Sequence, residues 1–306
     1  MVGYLFAGQG SQYIGMGRDL YESFPQAKAI FDKADQVLGF SLSKLCFEGP
    51  KEELTRTDNC QPAIVTTTIA AWEVFKSVNN IEPDSYAAGL SLGEYSALVA
   101  AGAIKFEDAV YLVRRRGEFM EEEAGKKPGK MLSVIGLDYA QVKQVCEEAS
   151  VEIANLNCPG QIVVSGGAEN IVKAQGLVKA KGAKLAVILD VSGAFHSSFM
   201  NGASVKLAKE LEKIKINIPR IALISNVTAK PALSVEEIKN NLVKQVASSV
   251  LWEDSMKFIL SRGVSNFIEF GPGKVLKGLM RRIDPGSNVK TVEKKEDIQG
   301  GMNNAS

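Results

Sequence analysis

Tyr86-Ala87-Ala88-Gly89-Leu90-Ser91-Leu92-Gly93-Glu94-Tyr95-Ser96-Ala97-Leu98 is the stretch whose reading decides the fold. Tyr86-Ala87-Ala88 is a short segment of small residues suited to a buried strand. From Glu94 to Ala103 the chain is alanine-rich, with Tyr95, Leu98, Val99 and Ala103 at helical spacing, which predicts an amphipathic helix. A Gly-x-Ser-x-Gly pentapeptide, Gly89 to Gly93, stands between them. Strand, glycine-flanked turn and helix in that order make a nucleophile elbow, which presents the serine at a helix N-terminus. There the Leu92 N–H and the helix dipole can face a developing oxyanion. A chain with 28 glycines produces such a pentapeptide readily by chance, and the bland alternative is a serine that only caps the helix.

A serine hydroxyl is a poor nucleophile at neutral pH unless a base takes its proton, and histidine is the usual base. The chain has a single histidine, His196, so a Ser–His pair can only be Ser91 with His196. Lys184–Val191 reads as a strand, Ser192-Gly193-Ala194-Phe195-His196-Ser197-Ser198 as a small-residue loop, and a helix follows from about Phe199. A histidine just past a strand end sits where α/β proteins place working residues. The alternative is a satisfied, partly buried histidine without chemistry.

Composition narrows the field. The 306 residues suit one large or two modest domains, with 45% hydrophobic and 23% charged residues. With 36 basic against 35 acidic residues the net charge is +1, so there is no global footprint for nucleic acid or membrane. No apolar run approaches the ~20 residues of a membrane span, and Met1-Val2-Gly3-Tyr4-Leu5 lacks the basic region of a signal peptide. Cys46, Cys60, Cys146 and Cys158 form no Cys-x-x-Cys pair, and one histidine leaves no zinc-type spacing. The expectation is a reduced, cytoplasmic protein with no metal and no cofactor.

The rest of the chain reads as α/β. A strand, Val2–Phe6, runs into Ala7-Gly8-Gln9-Gly10-Ser11-Gln12. This is not a dinucleotide fingerprint, because the third glycine of Gly-x-Gly-x-x-Gly would fall at Tyr13. Helices are predicted near 24–38, 51–55, 61–79 and 105–124. From the Gly/Lys/Pro-rich stretch 125–130 the pattern becomes strand 131–136, helix 139–149, strands 151–155 and 161–165, helix 168–181 and strand 184–190. That βαββαβ order is ferredoxin-like. Beyond His196 come helix 200–214, strand 221–225, helices 235–248 and 252–262, strand 266–270 and a helix to Ile283. Glu293–Ser306 is polar with weak periodicity and reads as a peripheral tail. The expected architecture is therefore a large α/β-hydrolase-like domain, 1–126 and 194–306, carrying the elbow and His196. A ferredoxin-like subdomain is inserted at 127–193; one continuous sheet is the alternative.

Several short motifs fall in one order: Gly8-Gln9-Gly10-Ser11-Gln12, Gly89 to Leu98, Arg116-Gly117, Pro159-Gly160-Gln161, Phe195-His196-Ser197, Asn226-Val227 and Gly271-Pro272-Gly273-Lys274-Val275-Leu276. The set resembles the malonyl-CoA:acyl carrier protein transacylases, the free-standing malonyl loaders of dissociated fatty acid synthesis, from the first strand to about Ile283. Related acyltransferase domains of polyketide synthases share it within longer chains. The resemblance implies ping-pong transfer of malonyl from malonyl-CoA to the phosphopantetheine thiol of acyl carrier protein, through a malonyl-Ser91 ester with His196 as base. It also implies an oxyanion hole from the Gln9 and Leu92 N–H groups, and an imidazole oriented by the Gln245 carbonyl. Asp190 is the alternative orienting group by sequence proximity.

Malonyl carries a carboxylate whose burial demands a partner, and a guanidinium binds both its oxygens. Arg114, Arg115 and Arg116 are consecutive on a predicted helix, about 100° apart, so they cannot all face one pocket. By resemblance Arg116 is the carboxylate-binding residue, with Met120 and Phe195 in the acyl pocket, Phe195 disfavouring a branched methylmalonyl group. The chain departs from the family's common Gly-His-Ser-x-Gly in having Leu90 before the serine. An acidic carrier protein needs a local basic surface. The candidates are Lys274, Lys277, Arg281 and Arg282 on the last helix, and Lys181 and Lys184 beside the small subdomain. A monomer is expected.

Three other readings share some of these features: a serine thioesterase or lipase, an acyltransferase for another acyl-CoA in polyketide synthesis, and a binding module that has lost the reaction. In an α/β-hydrolase the histidine lies late and follows an acid, whereas about a third of this chain follows His196. A patatin-like hydrolase is disfavoured because its Asp-Gly signature is absent.

Overall fold

The computed structural model describes residues 1–299. Nine strands run along the described chain: β1 (Gly3–Phe6), β2 (Tyr86–Gly89), β3 (Gly129–Ile135), β4 (Glu152–Cys158), β5 (Gln161–Gly167), β6 (Leu185–Ile188), β7 (Ala222–Leu223), β8 (Asn266–Phe270) and β9 (Asn288–Val292). They build two sheets, making a mixed α/β fold. One is parallel, in the order β7-β2-β1-β8-β9; the other is antiparallel, in the order β4-β5-β3-β6.

Alternation along β1 sends Tyr4 and Phe6 to one face of the parallel sheet and Leu5 to the other. On the first face the indole of Trp72 packs 5.1 Å from the rings of both Tyr4 and Phe270. Trp72 belongs to the helix Thr57–Val78, which is buried along most of its length. On the second face Leu5 joins Ala88, Trp252, Met256 and Leu276. The sheet is thus covered on both sides, as a parallel sheet requires. The antiparallel sheet has its own apolar layer against the helices Tyr139–Ala149 and Ala168–Ala180.

This topology positions the site by bringing several loops to one edge. The segments that follow β1, β2, β7 and β8 all leave from the carboxyl edge of the parallel sheet, where open α/β folds bind ligands. They carry Gln9, Ser91 and Leu92, Asn226, and Gly271–Lys274. Where β6 ends, Leu189–Ser192 leads the chain back to that edge and to His196.

Several elements differ from the sequence expectation. The helices Arg18–Ser23 and Leu42–Glu48 and the strand β9 were not foreseen. Each spans seven residues or fewer, too short for a period to register. Glu293–Gln299 is not a peripheral tail: Lys295–Gln299 is helical, Ile298 is buried, and Asp297 accepts from the main-chain N–H groups of Glu293 and Lys294. The remainder of the expected tail, 300–306, lies outside the described residues. No described helix is long and apolar enough to cross a membrane.

Gly93 is where the elbow meets the central strand, since a Cβ there would fall 2.1 Å from the Phe6 carbonyl oxygen. Gly93→Ala is expected to lose about 1–3 kcal/mol in urea denaturation through overpacking. Gly176→Ala, at an exposed position of the helix Ala168–Ala180 with nothing near the added methyl, should gain about 0.5–1 kcal/mol. Equal stability of Gly93→Ala and the unaltered chain would refute the close approach.

Candidate active site

Ser91 sits between β2 and the helix Gly93–Ala100 with φ +50°, and His196 has φ +57°, both left-handed for residues that carry a Cβ. Such conformations cost of order 1–3 kcal/mol each and persist where surrounding bonds over-determine them. For Ser91 those bonds come from Asn226. Its Oδ1 accepts from the Ser91 N–H at 2.6 Å, and its Nδ2 donates to the Gly89 carbonyl at 2.8 Å.

Ser91 Oγ lies 2.7 Å from His196 Nε2, and His196 Nδ1 lies 2.8 Å from the Gln245 carbonyl oxygen. A carbonyl only accepts, so Nδ1 carries the ring proton and Nε2 is left to accept from the serine hydroxyl. Burial, helped by the nearby Arg116 charge, pulls the His196 pKa down to about 4. The imidazole is therefore neutral at physiological pH, the form that a base requires. Asp190 is exposed at the cavity wall, and among the described residues it makes no bond to His196.

Of the three consecutive arginines, Arg114 pairs with Asp58 and Glu118, and Arg115 with Glu118. Arg116 points inward and is 1% exposed. Its Nη1 donates to Gln61 Oε1 at 2.8 Å, and its Nη2 donates to Ser91 Oγ at 3.1 Å and Gln245 Oε1 at 3.2 Å. Among the described residues every partner of this guanidinium is neutral, and its Nε has none. Burial lowers its pKa from the ordinary value. Gly117 makes the placement possible: a Cβ there would fall 2.7 Å from the Thr57 carbonyl oxygen, so the helix Phe106–Lys126 can press against the start of Thr57–Val78. A stripped cation beside a serine hydroxyl can accept an anion brought to that point.

Ser91 and His196 open into a cavity of about 870 Å3, lined near them by Gln9, Leu90, Met120 and Phe195. Met131, Asn155, Asn157 and Val163 of the antiparallel sheet form the facing wall. Among the described residues the Gln9 and Leu92 N–H groups donate to no protein acceptor, which leaves them free for an oxyanion. Val275, at the start of the last basic helix, borders the cavity. Arg282 reaches from that helix to Gln161 Oε1 at 3.0 Å and the Pro159 carbonyl at 3.1 Å, while Lys274 and Arg281 stay exposed. Lys181 donates to Gln144, and Lys184 is exposed.

Sequence reasoning missed four participants. Gln61 gave no signal, lying in an unremarkable helix. Asn226 and Glu94 lay inside quoted motifs without a role, and Gln245 was foreseen only through its main chain. Glu94 is buried; its Oε2 accepts from Gln245 Nε2 at 2.6 Å and from the Asn226 N–H at 3.1 Å. Burial pushes its pKa up to about 7, against the opposing pull of those bonds and of Arg116.

The fold and site are those of a serine acyltransferase, and the chain belongs to the acyl transferase domain family, which matches residues 3–298. Within that family it is similar to the malonyl CoA-acyl carrier protein transacylase of Bacillus subtilis, 48% identical over 97% of this chain and 95% of the relative. An acyl-carrier-protein-S-malonyltransferase from Bartonella henselae superposes with a TM-score of 0.95 at 39% identity, over 98% of each chain. A malonyl-transacylase solved in complex with a type II PKS acyl-carrier protein gives 0.94 at 39%, over 97% of each chain.

The low pKa of His196 has a kinetic signature. Protonation removes the base, so reactivity of Ser91 falls only as pH drops through about 4. Labelling of Ser91 by a fluorophosphonate should hold its rate well below the ordinary histidine value of about 6.5. A half-maximal rate at that ordinary value would mean a solvated imidazole.

Proposed function

We propose that the protein transfers the malonyl group of malonyl-CoA to the phosphopantetheine thiol of an acyl carrier protein, supplying malonyl units for fatty acid synthesis. The observation that carries this reading is Arg116, a buried guanidinium with only neutral partners, 3.1 Å from the hydroxyl to be acylated. An acyl group on Ser91 Oγ brings a terminal carboxylate within reach of it. The relatives' names give the same acyl group and the same acceptor.

Ser91 Oγ attacks the thioester carbonyl while His196 Nε2 takes its proton. The tetrahedral oxyanion rests on the Gln9 and Leu92 N–H groups, each such donor typically worth about 2.7–4 kcal/mol in the transition state. Cleavage of the C–S bond releases CoA, which leaves with the proton from His196, and the malonyl-Ser91 ester remains. The carrier thiol then gives its proton to His196 and attacks the ester; Ser91 recovers the proton as it leaves. The Gln245 carbonyl holds the tautomer throughout. Met120 and Phe195 bound the acyl chain, and the exposed lysines and arginines beside the cavity mouth face the acidic carrier.

The Ser91 turn at a parallel strand end supports an α/β-hydrolase-like large domain, 1–126 and 194–306. The strand order and the helices on one face of the antiparallel sheet support a ferredoxin-like insertion at 127–193. Four free cysteines fit a reducing cytoplasm.

Intact-protein mass after brief mixing with malonyl-CoA tests the proposal. A malonyl adduct on the Ser91 peptide, stable in buffer and discharged by pantetheine thiol, is expected; loss at the same rate in plain buffer would indicate a hydrolase. Ser91→Ala should give no adduct. Arg116→Ala should slow malonylation at least a hundredfold more than acetylation from acetyl-CoA, whereas equal losses would sink the carboxylate role.

A further inference from the structure

The Gln245 side chain bonds to both Arg116 and the elbow. A glutamine amide has an accepting and a donating end of nearly the same shape, so its neighbours decide which way it faces. Here the neighbours leave one choice. Arg116 only donates, and it meets Gln245 Oε1 at 3.2 Å. On the other side Gln245 Nε2 donates to the Ser91 carbonyl at 3.0 Å and to Glu94 Oε2 at 2.6 Å. A flipped amide would set its oxygen against that carbonyl and that carboxylate, and its N–H groups against the guanidinium. Glu94 supplies the shortest of these bonds. It is held in turn by the N–H of Asn226, the residue that supports the Ser91 turn. Glu94 touches neither Ser91 Oγ nor His196, and it forms no direct ion pair with Arg116 among the described residues.

We propose that Glu94 is a positioning residue for acyl selectivity: it fixes the Gln245 amide in the orientation that aims Arg116 at an acyl group on Ser91. The inference rests on the malonyl reading above. What the position needs is an accepting oxygen rather than a charge, because one atom, Oε2, accepts from both Gln245 and Asn226. A glutamine at 94 retains that oxygen, and a methionine of similar length does not.

The experiment is single-turnover acylation of Ser91 by malonyl-CoA and by acetyl-CoA, read by intact mass, in the unaltered chain, Glu94→Gln and Glu94→Met. The malonyl-to-acetyl rate ratio should stay within about threefold in Glu94→Gln and fall at least tenfold in Glu94→Met, with most of the loss on the malonyl side. Equal loss for both acyl groups in Glu94→Met would overturn the proposal, leaving Glu94 as structural support for the elbow. A Glu94→Gln ratio as low as that of Glu94→Met would also overturn it, because charge would then be what matters. Should Glu94→Met fail to fold, Glu94→Leu makes the same test: it likewise lacks the accepting oxygen, and it must lower the ratio by the same criterion. Absence of any malonyl adduct on the unaltered chain is a separate result, which refutes the malonyl reading itself.

Discussion

A guanidinium held away from water with no carboxylate bonded to it among the described residues is the constraint around which the centre is built. Burying an unpaired charge costs several kcal/mol, and proteins ordinarily offset that with a salt bridge. Here the offset comes from dipoles: amide oxygens of Gln61 and Gln245, and the Ser91 hydroxyl. Dipoles soften the cost without neutralising the charge, so the cation stays available. Meeting that constraint needs two helices in close contact at Gly117, a glutamine from each of two distant segments, and a nucleophile at the same point. The neighbouring Arg114 and Arg115, which have carboxylate partners, show what the alternative looks like.

The same charge acts on the base. Arg116 reinforces burial in keeping His196 neutral, so the buried cation and the imidazole are electrostatically coupled. Backbone strain is concentrated at the same place: among the described residues four non-glycine positions have positive φ, and two of them are Ser91 and His196. Asn226 and Gln245 hold these two turns from behind. Because both reach Glu94, the elbow, His196 and Arg116 form one hydrogen-bonded body rather than three adjacent features.

What the sequence disclosed follows from the range of each signal. Tyr86–Leu98 was legible because strand, turn and helix are local patterns, and glycines at 89 and 93 mark close approach of backbones. His196 was legible by elimination. The βαββαβ run between 129 and 188 appeared as clean alternation, because each of its elements spans enough residues to show its period, except the short β6. Gln61 and the side chain of Gln245 were not legible. Their roles depend on where helices cross, and a buried glutamine in an apolar helix face looks the same in sequence whether or not an arginine reaches it. Strand β9 and the helix 295–299 escaped for a different reason: their few apolar residues, Val289, Val292 and Ile298, acquire meaning only against a sheet edge that is already built. The family resemblance supplied Gln9, Gln245, Met120 and Phe195, which no local pattern would have selected.

Burial of the sole imidazole also makes the chain its own spectroscopic probe. In most enzymes the ring protons of a working histidine must be disentangled from those of several surface histidines by isotopic editing or mutagenesis. Here every imidazole resonance comes from one ring, wedged between the nucleophile and a main-chain carbonyl. Its Nδ1 proton, shielded from exchange and hydrogen-bonded to Gln245, is placed to give an isolated downfield signal in unlabelled protein. Binding, acylation and discharge can then be followed at the reacting atoms themselves, without altering a single residue.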